Sequence, residues 1–275
     1  MKKFLLLLFI INLINIPAFS KTEKTSAEYL QNKKHIAIMN PLVEHFAQKE
    51  IKKLLKKELS EGSYKVKFDG YTLYSMKKGV FKDLEIVGKN LVIEEIPIKS
   101  LTLKTKTDYN WIDFNQSPAK IKSDITFDYL LNLDEKSLNE ALDRKDYQKV
   151  LDKVNSRAYP LFEMKNIKLR IKNNRTYLIM KYTLPLASNK KVKTFIVSSS
   201  FKVENGKIIA TNVHIDKSYG NLPLDKVTNL VNLLDPLTFA LDILKDGHCK
   251  GKVENVKIEN DNIQIGGKIF IKKGE

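Results

Sequence analysis

With a single cysteine, Cys249, the chain can form no intramolecular disulfide, so packing alone must hold the fold. Catalytic signatures are missing too. There is no GxSxG elbow, no HExxH, no phosphate-binding glycine loop and no CxxC. The four histidines are His35, His45, His214 and His248, and no two stand at metal-ligand spacing. His248 adjoins Cys249, but neighbouring side chains in a strand point to opposite faces and make a poor nucleophile and base. The same geometry separates the carboxylates of Glu94 and Glu95, which solvated turn charges explain equally well. The chain is therefore read as non-enzymatic, with no catalytic residue, metal site or cofactor assigned.

A bilayer span needs about 20 mostly apolar residues. The apolar stretch LVNLLDPLTFALDIL, residues 230–244, does not qualify, because Asp235, Pro236 and Asp242 interrupt it.

Basic charge is abundant. There are 48 Lys and Arg against 32 Asp and Glu, a formal charge of +16, which favours an anionic partner. The N-terminus narrows the choice. In MKKFLLLLFIINLINIPAFS two lysines precede an apolar run, and Ala18 and Ser20 fit the small-residue rule for signal-peptide cleavage after Ser20. An exported chain meets little nucleic acid. The charge then points to a phospholipid or anionic membrane surface, or to acidic glycans, in the periplasm or elsewhere in the cell envelope.

Residues 1–20 are thus read as a signal peptide, 21–40 as a polar tether and 41–275 as one domain without a composition break. Asn40-Pro41 opens a helix, as N-cap and first-turn proline. Leu42, Val43, Phe46, Ala47, Ile51, Leu54, Leu55 and Leu59 recur at helical spacing. Lys49, Lys52, Lys53, Lys56 and Lys57 lie mainly on the other side. A basic face opposite an apolar one is a membrane-surface signature, and also the look of any surface helix in a lysine-rich chain. Lys52, Lys53, Lys56 and Lys57 are the candidate membrane-facing residues.

Period-two alternation follows. Asp69-Gly70 reads as a turn between Tyr64–Phe68 and a strand from Tyr71. The pairs Leu84/Ile86, Leu91/Ile93, Ile96/Ile98 and Leu101/Leu103 slip in parity, which calls for bulges, bends or separate strands. Residues 106–120 read as a loop despite Trp111 and Phe114. Asp134 caps a helix running to about Val154. Asn173-Asn174, Asn205-Gly206 and Asn260-Asp261 read as turns between strands. KDLEIVGKNLVI, KNIKLRIKNNRTYLI and ENVKIENDNIQI echo one another as strand, polar turn, strand. The fold class is α+β, with long antiparallel strands and three helices segregated against them.

In the 230–244 stretch, Leu230, Leu233, Leu234, Leu237, Ala240, Leu241 and Leu244 form one wide helical face, with Val231, Phe239 and Ile243 outside it. Apolar residues beyond one stripe mean burial on more than one side. Two arrangements meet that need: a central core helix under the sheet, or a wall with the sheet on one side and lipid chains on the other.

GVFKDLEIVGKNLVIEEIPIKSLTLKT, ITFDYLLNLDEKSLNEAL, FKVENGKIIATNVHI and LLDPLTFALDIL with GKVENVKIENDNIQIGGKIFI occur in this order. Together they resemble the LmeA-like phospholipid-binding family of exported bacterial proteins, over about residues 41–272. The resemblance implies a fold similar to tubular lipid-binding domains, a long curved antiparallel sheet wrapped around helices and an apolar groove. It implies a phospholipid ligand and no catalytic motif. Phe46, Leu54, Leu230, Leu233, Leu234, Leu237, Phe239 and Leu241 are the candidate lipid-binding residues. The alternative is a structural or interaction protein of the envelope with a filled core and no lipid.

Overall fold

Three two-residue turns set the register of six of the thirteen described strands. Asn173-Asn174 (φ 52° and 55°), Asn205-Gly206 (50° and 72°) and Asn260-Asp261 (50° and 57°) all take positive φ at both central positions. Only a few residue types accept this conformation, and it matches the right-handed twist of the strands it joins. In the computed structural model of the chain, the described residues are 40–59, 61–93, 96–113, 120–158, 162–186, 191–215, 224–234, 237 and 249–274. The expected signal peptide, and the tether up to Met39, lie outside them.

The elements in order are α1 (Asn40–Leu59), β1 (Ser63–Asp69), α2 (Leu73–Lys77), β2 (Val80–Phe81), β3 (Asp83–Ile93), β4 (Ile96–Thr105), β5 (Asn110–Asp113), β6 (Lys120–Ile121) and β7 (Ile125–Asp134). They continue with α3 (Glu135–Asp143), α4 (Lys145–Ala158), β8 (Glu163–Lys172), β9 (Arg175–Thr183), β10 (Lys193–Glu204), β11 (Lys207–Ile215), α5 (Leu224–Leu233), β12 (Cys249–Glu259) and β13 (Asn262–Ile271). The described chain is α+β with antiparallel sheets. The strands do not form one long sheet. They divide into a six-stranded sheet, β1-β3-β4-β7-β13-β12, a four-stranded sheet, β11-β10-β9-β8, and a small ribbon, β2-β5-β6. β12 lies against β10, so the two larger sheets meet there. α3 touches β4 and β7 on one side and β8 on the other. Buried residues of α1, α3, α4, α5 and both large sheets belong to one apolar cluster.

Several local expectations change. β1 ends at Asp69, but no strand follows from Tyr71. Thr72 instead caps α2, with Ser75 N–H donating to Thr72 Oγ1 at 3.1 Å and Thr72 N–H to Ser75 Oγ at 2.9 Å. Local side-chain bonds win here over the alternating pattern. The 106–120 segment holds β5 and the start of β6. Trp111 Nε1 donates to Lys78 O (3.0 Å) and Ile112 is buried, contacts that a local reading cannot see. The first of the three echoes is not a hairpin, since KDLEIVGKNLVI is one strand, β3, preceded by Lys82. Its parity slip is shared by β4. Gly88 faces Leu101, Leu91 faces Ile98, and Asn90 between takes φ 52°, so the pair keeps register while changing face.

Asp134 caps α3 as expected, accepting from Ser137 N–H at 2.8 Å. The helix breaks at Arg144, whose ψ of 144° is extended, and α4 starts afresh.

The outer edge of β8 is sealed by helix side chains. Asn139 donates Nδ2 to Leu169 O (2.8 Å) and accepts Leu169 N–H (2.9 Å). Asn155 does the same for Met164 O (2.9 Å) and N–H (2.7 Å), and Glu135 accepts Ile171 N–H (3.2 Å). Each amide stands in for a neighbouring strand, which protects the edge from pairing with another chain. Asn139→Ala strips both Leu169 groups of their partners. It should cost about 2 kcal/mol in urea unfolding and promote self-association at high concentration.

At Gly267, where β12 bulges between Val253 and Asn255, an added Cβ would overlap the Lys252 carbonyl oxygen and stand 2.9 Å from the Tyr129 hydroxyl. Gly267→Ala should therefore lower stability by about 3 kcal/mol, read as a fall in denaturant midpoint with unchanged slope.

Candidate membrane-binding surface

α1 turns two different faces outward and inward. Ala47, Ile51, Leu55 and Leu59, spaced by four, are buried, and the helix packs on β1. Phe46 is not part of this stripe, as the sequence pattern had it. It is 62% exposed, and its steps i+3, i+7 and i+11 reach Lys49, Lys53 and Lys57. A phenyl ring thus stands at the N-terminal end of a row of lysines on one helix face. His45 and Phe46 meet edge to face, with ring centroids 6.4 Å apart. Lys52, Lys53, Lys56 and Lys57 are all exposed. The contact of Lys53 with Glu50, at 3.8 Å, is a solvent-exposed pair of the kind that contributes little. Lys56 and Lys57 also complement the negative C-terminal end of the helix dipole.

The expected apolar set is spread over different elements. Leu234 and Leu237 are fully buried in the common core. Leu230 is half-buried against it and Leu233 is 56% exposed. The buried stripe of α5 runs through Val227 and Val231 on to Leu234, displaced from the wide leucine face expected there, because the helix presents that side to β11. Tyr147 of α4, itself buried, donates its hydroxyl to Leu234 O at 2.6 Å and fastens this end of α5 to the interior. Phe239, Leu241 and the side chain of Leu54 lie outside the described residues. α5 packs on the four-stranded sheet and α1 on the six-stranded one, so the helices bearing Phe46 and Leu234 pack on different sheets.

A hollow of about 440 Å³ opens on the six-stranded sheet, over β1 and β3. Ser63, Lys65, Lys67, Glu85, Val87 and Lys89 line it, as the directly opposed pairs Ser63–Lys89, Lys65–Val87 and Lys67–Glu85. Lys67 Nζ and Glu85 Oε2 are 3.0 Å apart. The intervening Tyr64 points inward and is buried. Burial pushes its phenol up to about 12, and it donates to Glu61 O at 2.8 Å. Sequence reasoning missed this hollow. Its only local trace is the alternation Ser63, Lys65, Lys67, because the other half comes from β3.

Of the histidines, His45 is exposed and His214 sits on β11, its Nδ1 3.1 Å from Arg175 Nη2. His35, His248, Glu94 and Glu95 lie outside the described residues. Among the described residues no group of three or more His, Cys, Asp or Glu is placed to hold a metal. No described helix is long and apolar enough to cross a membrane. No protein-family model matches the chain, nor does any curated protein or solved structure.

Proposed function

We propose that this chain is an exported, non-enzymatic phospholipid-binding protein of the cell envelope that meets anionic membrane through α1. The observation that carries the reading is Phe46, exposed at the N-terminal end of the lysine face. A buried apolar stripe already satisfies the helix's need for packing, so the ring serves no described contact of the core. Beside lysines it suits the membrane interface, where the ring enters the headgroup layer and the ammonium groups meet lipid phosphates. The resemblance to the LmeA-like family supports the same ligand and the export route. It also supplies the finer picture, a tubular lipid-binding arrangement in which acyl chains enter an apolar groove beside the 230–244 segment. With Leu234 and Leu237 closed off and Tyr147 bonded to Leu234 O, such entry requires α5 to part from α4.

That closure favours a second reading, an envelope protein with a filled core that touches lipid only at its surface or not at all. Mass spectrometry of an organic extract of the purified mature protein separates the two. The groove predicts phospholipid at close to one per chain. A filled core predicts none.

A further inference from the structure

The hollow over β1 and β3 carries two lysines on its rim. Lys65 and Lys89 are diagonal neighbours across the strand pair, since Lys65 faces Val87 and Lys89 is two residues on. Such neighbours lie roughly 7–8 Å apart, and their like charges repel weakly through solvent. Among the described residues neither lysine has a carboxylate partner, whereas Lys67 is matched by Glu85. Val87 and Ser63 are short side chains between longer ones, which is why the surface dips there. An anion seated over Val87 would accept from both ammonium groups and from the Ser63 hydroxyl, and would relieve the repulsion. Lysine meets phosphate in this way, as a mobile point charge with three donors.

We propose that Ser63, Lys65 and Lys89 form a subsite for the phosphate of an anionic phospholipid headgroup. The proposal rests on the phospholipid-binding reading and adds a specific headgroup contact on the sheet surface to the lysine face of α1. Glu85 tunes the site, because it neutralises Lys67 and holds a negative charge beside the incoming phosphate.

The test is calorimetric titration of the mature chain with dihexanoylphosphatidylglycerol below its micelle concentration, and with inorganic phosphate. The short-chain lipid should bind saturably and at least tenfold more tightly than inorganic phosphate. The double variant Lys65→Gln, Lys89→Gln should lose tenfold or more in affinity. Glu85→Gln should gain several-fold, a result that misfolding cannot mimic. The melting temperature of each variant reports that the fold is kept. Unchanged affinity in the double variant, or a loss in Glu85→Gln, overturns the subsite. Equal binding of inorganic phosphate overturns its assignment to lipid. Vesicle flotation of the same variants keeps the two ideas apart. If vesicles of phosphatidylglycerol bind the parent while the soluble lipid ignores the hollow, the subsite falls and the phospholipid-binding reading stands. If neither vesicles nor soluble lipid bind the parent, both fall.

Discussion

Leu237→Ala is expected to lower the free energy of unfolding by about 2–5 kcal/mol, the cost of an unfilled cavity where a leucine was fully enclosed. Leu237 has no exposed surface, and its neighbour Leu234 is equally closed. Leu237→Trp should also destabilise, by about 1–3 kcal/mol, because a closed core has no room for the added ring. Both effects are read by chemical denaturation of lipid-free protein. Binding to vesicles through α1 should be unchanged in either variant once the protein is folded. The opposite pattern is informative. If the tryptophan is tolerated and the alanine costs little, the space beside Leu237 is open, as a preformed groove for acyl chains requires.

Changing Lys52, Lys53, Lys56 and Lys57 together to Gln is expected to weaken binding to anionic vesicles by a hundredfold or more. Each lysine held near such a surface contributes about 1 kcal/mol, so four together contribute about 4 kcal/mol, reduced where a side chain points partly away. The effect falls within a Debye length, so raising the salt should reproduce it in the parent protein. Phe46→Ser should weaken binding further without restoring any salt dependence, since the ring acts by burial rather than charge. All five side chains are on the solvent side of α1, so melting temperatures should move little. A co-sedimentation titration across vesicle concentrations measures both variants. Unaltered binding would mean that the basic face is only a solubilising coat.

How much of this was legible beforehand differs by element. The turns at Asn173-Asn174, Asn205-Gly206 and Asn260-Asp261 were readable because positive φ is a demand on two adjacent residues. The cap at Asp134 was readable for the same local reason. α2 had a local signal as well, Thr72 three residues before Ser75, but the alternation of Tyr71 and Leu73 hid it. β5 was not readable, since Trp111 and Ile112 are placed by Lys78 and Gly79 more than thirty residues earlier. The candidate surface divides in the same way. Exposure of the α1 lysines followed from the helical period. The position of Phe46 did not, because residues 46 and 47 both fit an apolar arc and only the sheet beneath decides which is covered. The hollow needed β1 and β3 to be paired in register before Lys65 and Lys89 became neighbours. Among the leucines from Leu230 onward, which of the described ones face inward depended on α5 docking against β11 and Tyr147.

Flotation of the mature chain with vesicles tests the central claim most directly, using phosphatidylglycerol in one arm and phosphatidylcholine in the other at physiological salt. The account predicts that the protein rises with the phosphatidylglycerol vesicles, stays behind with phosphatidylcholine, and is released from the first by high salt. No flotation in either arm, or equal flotation in both, would contradict it.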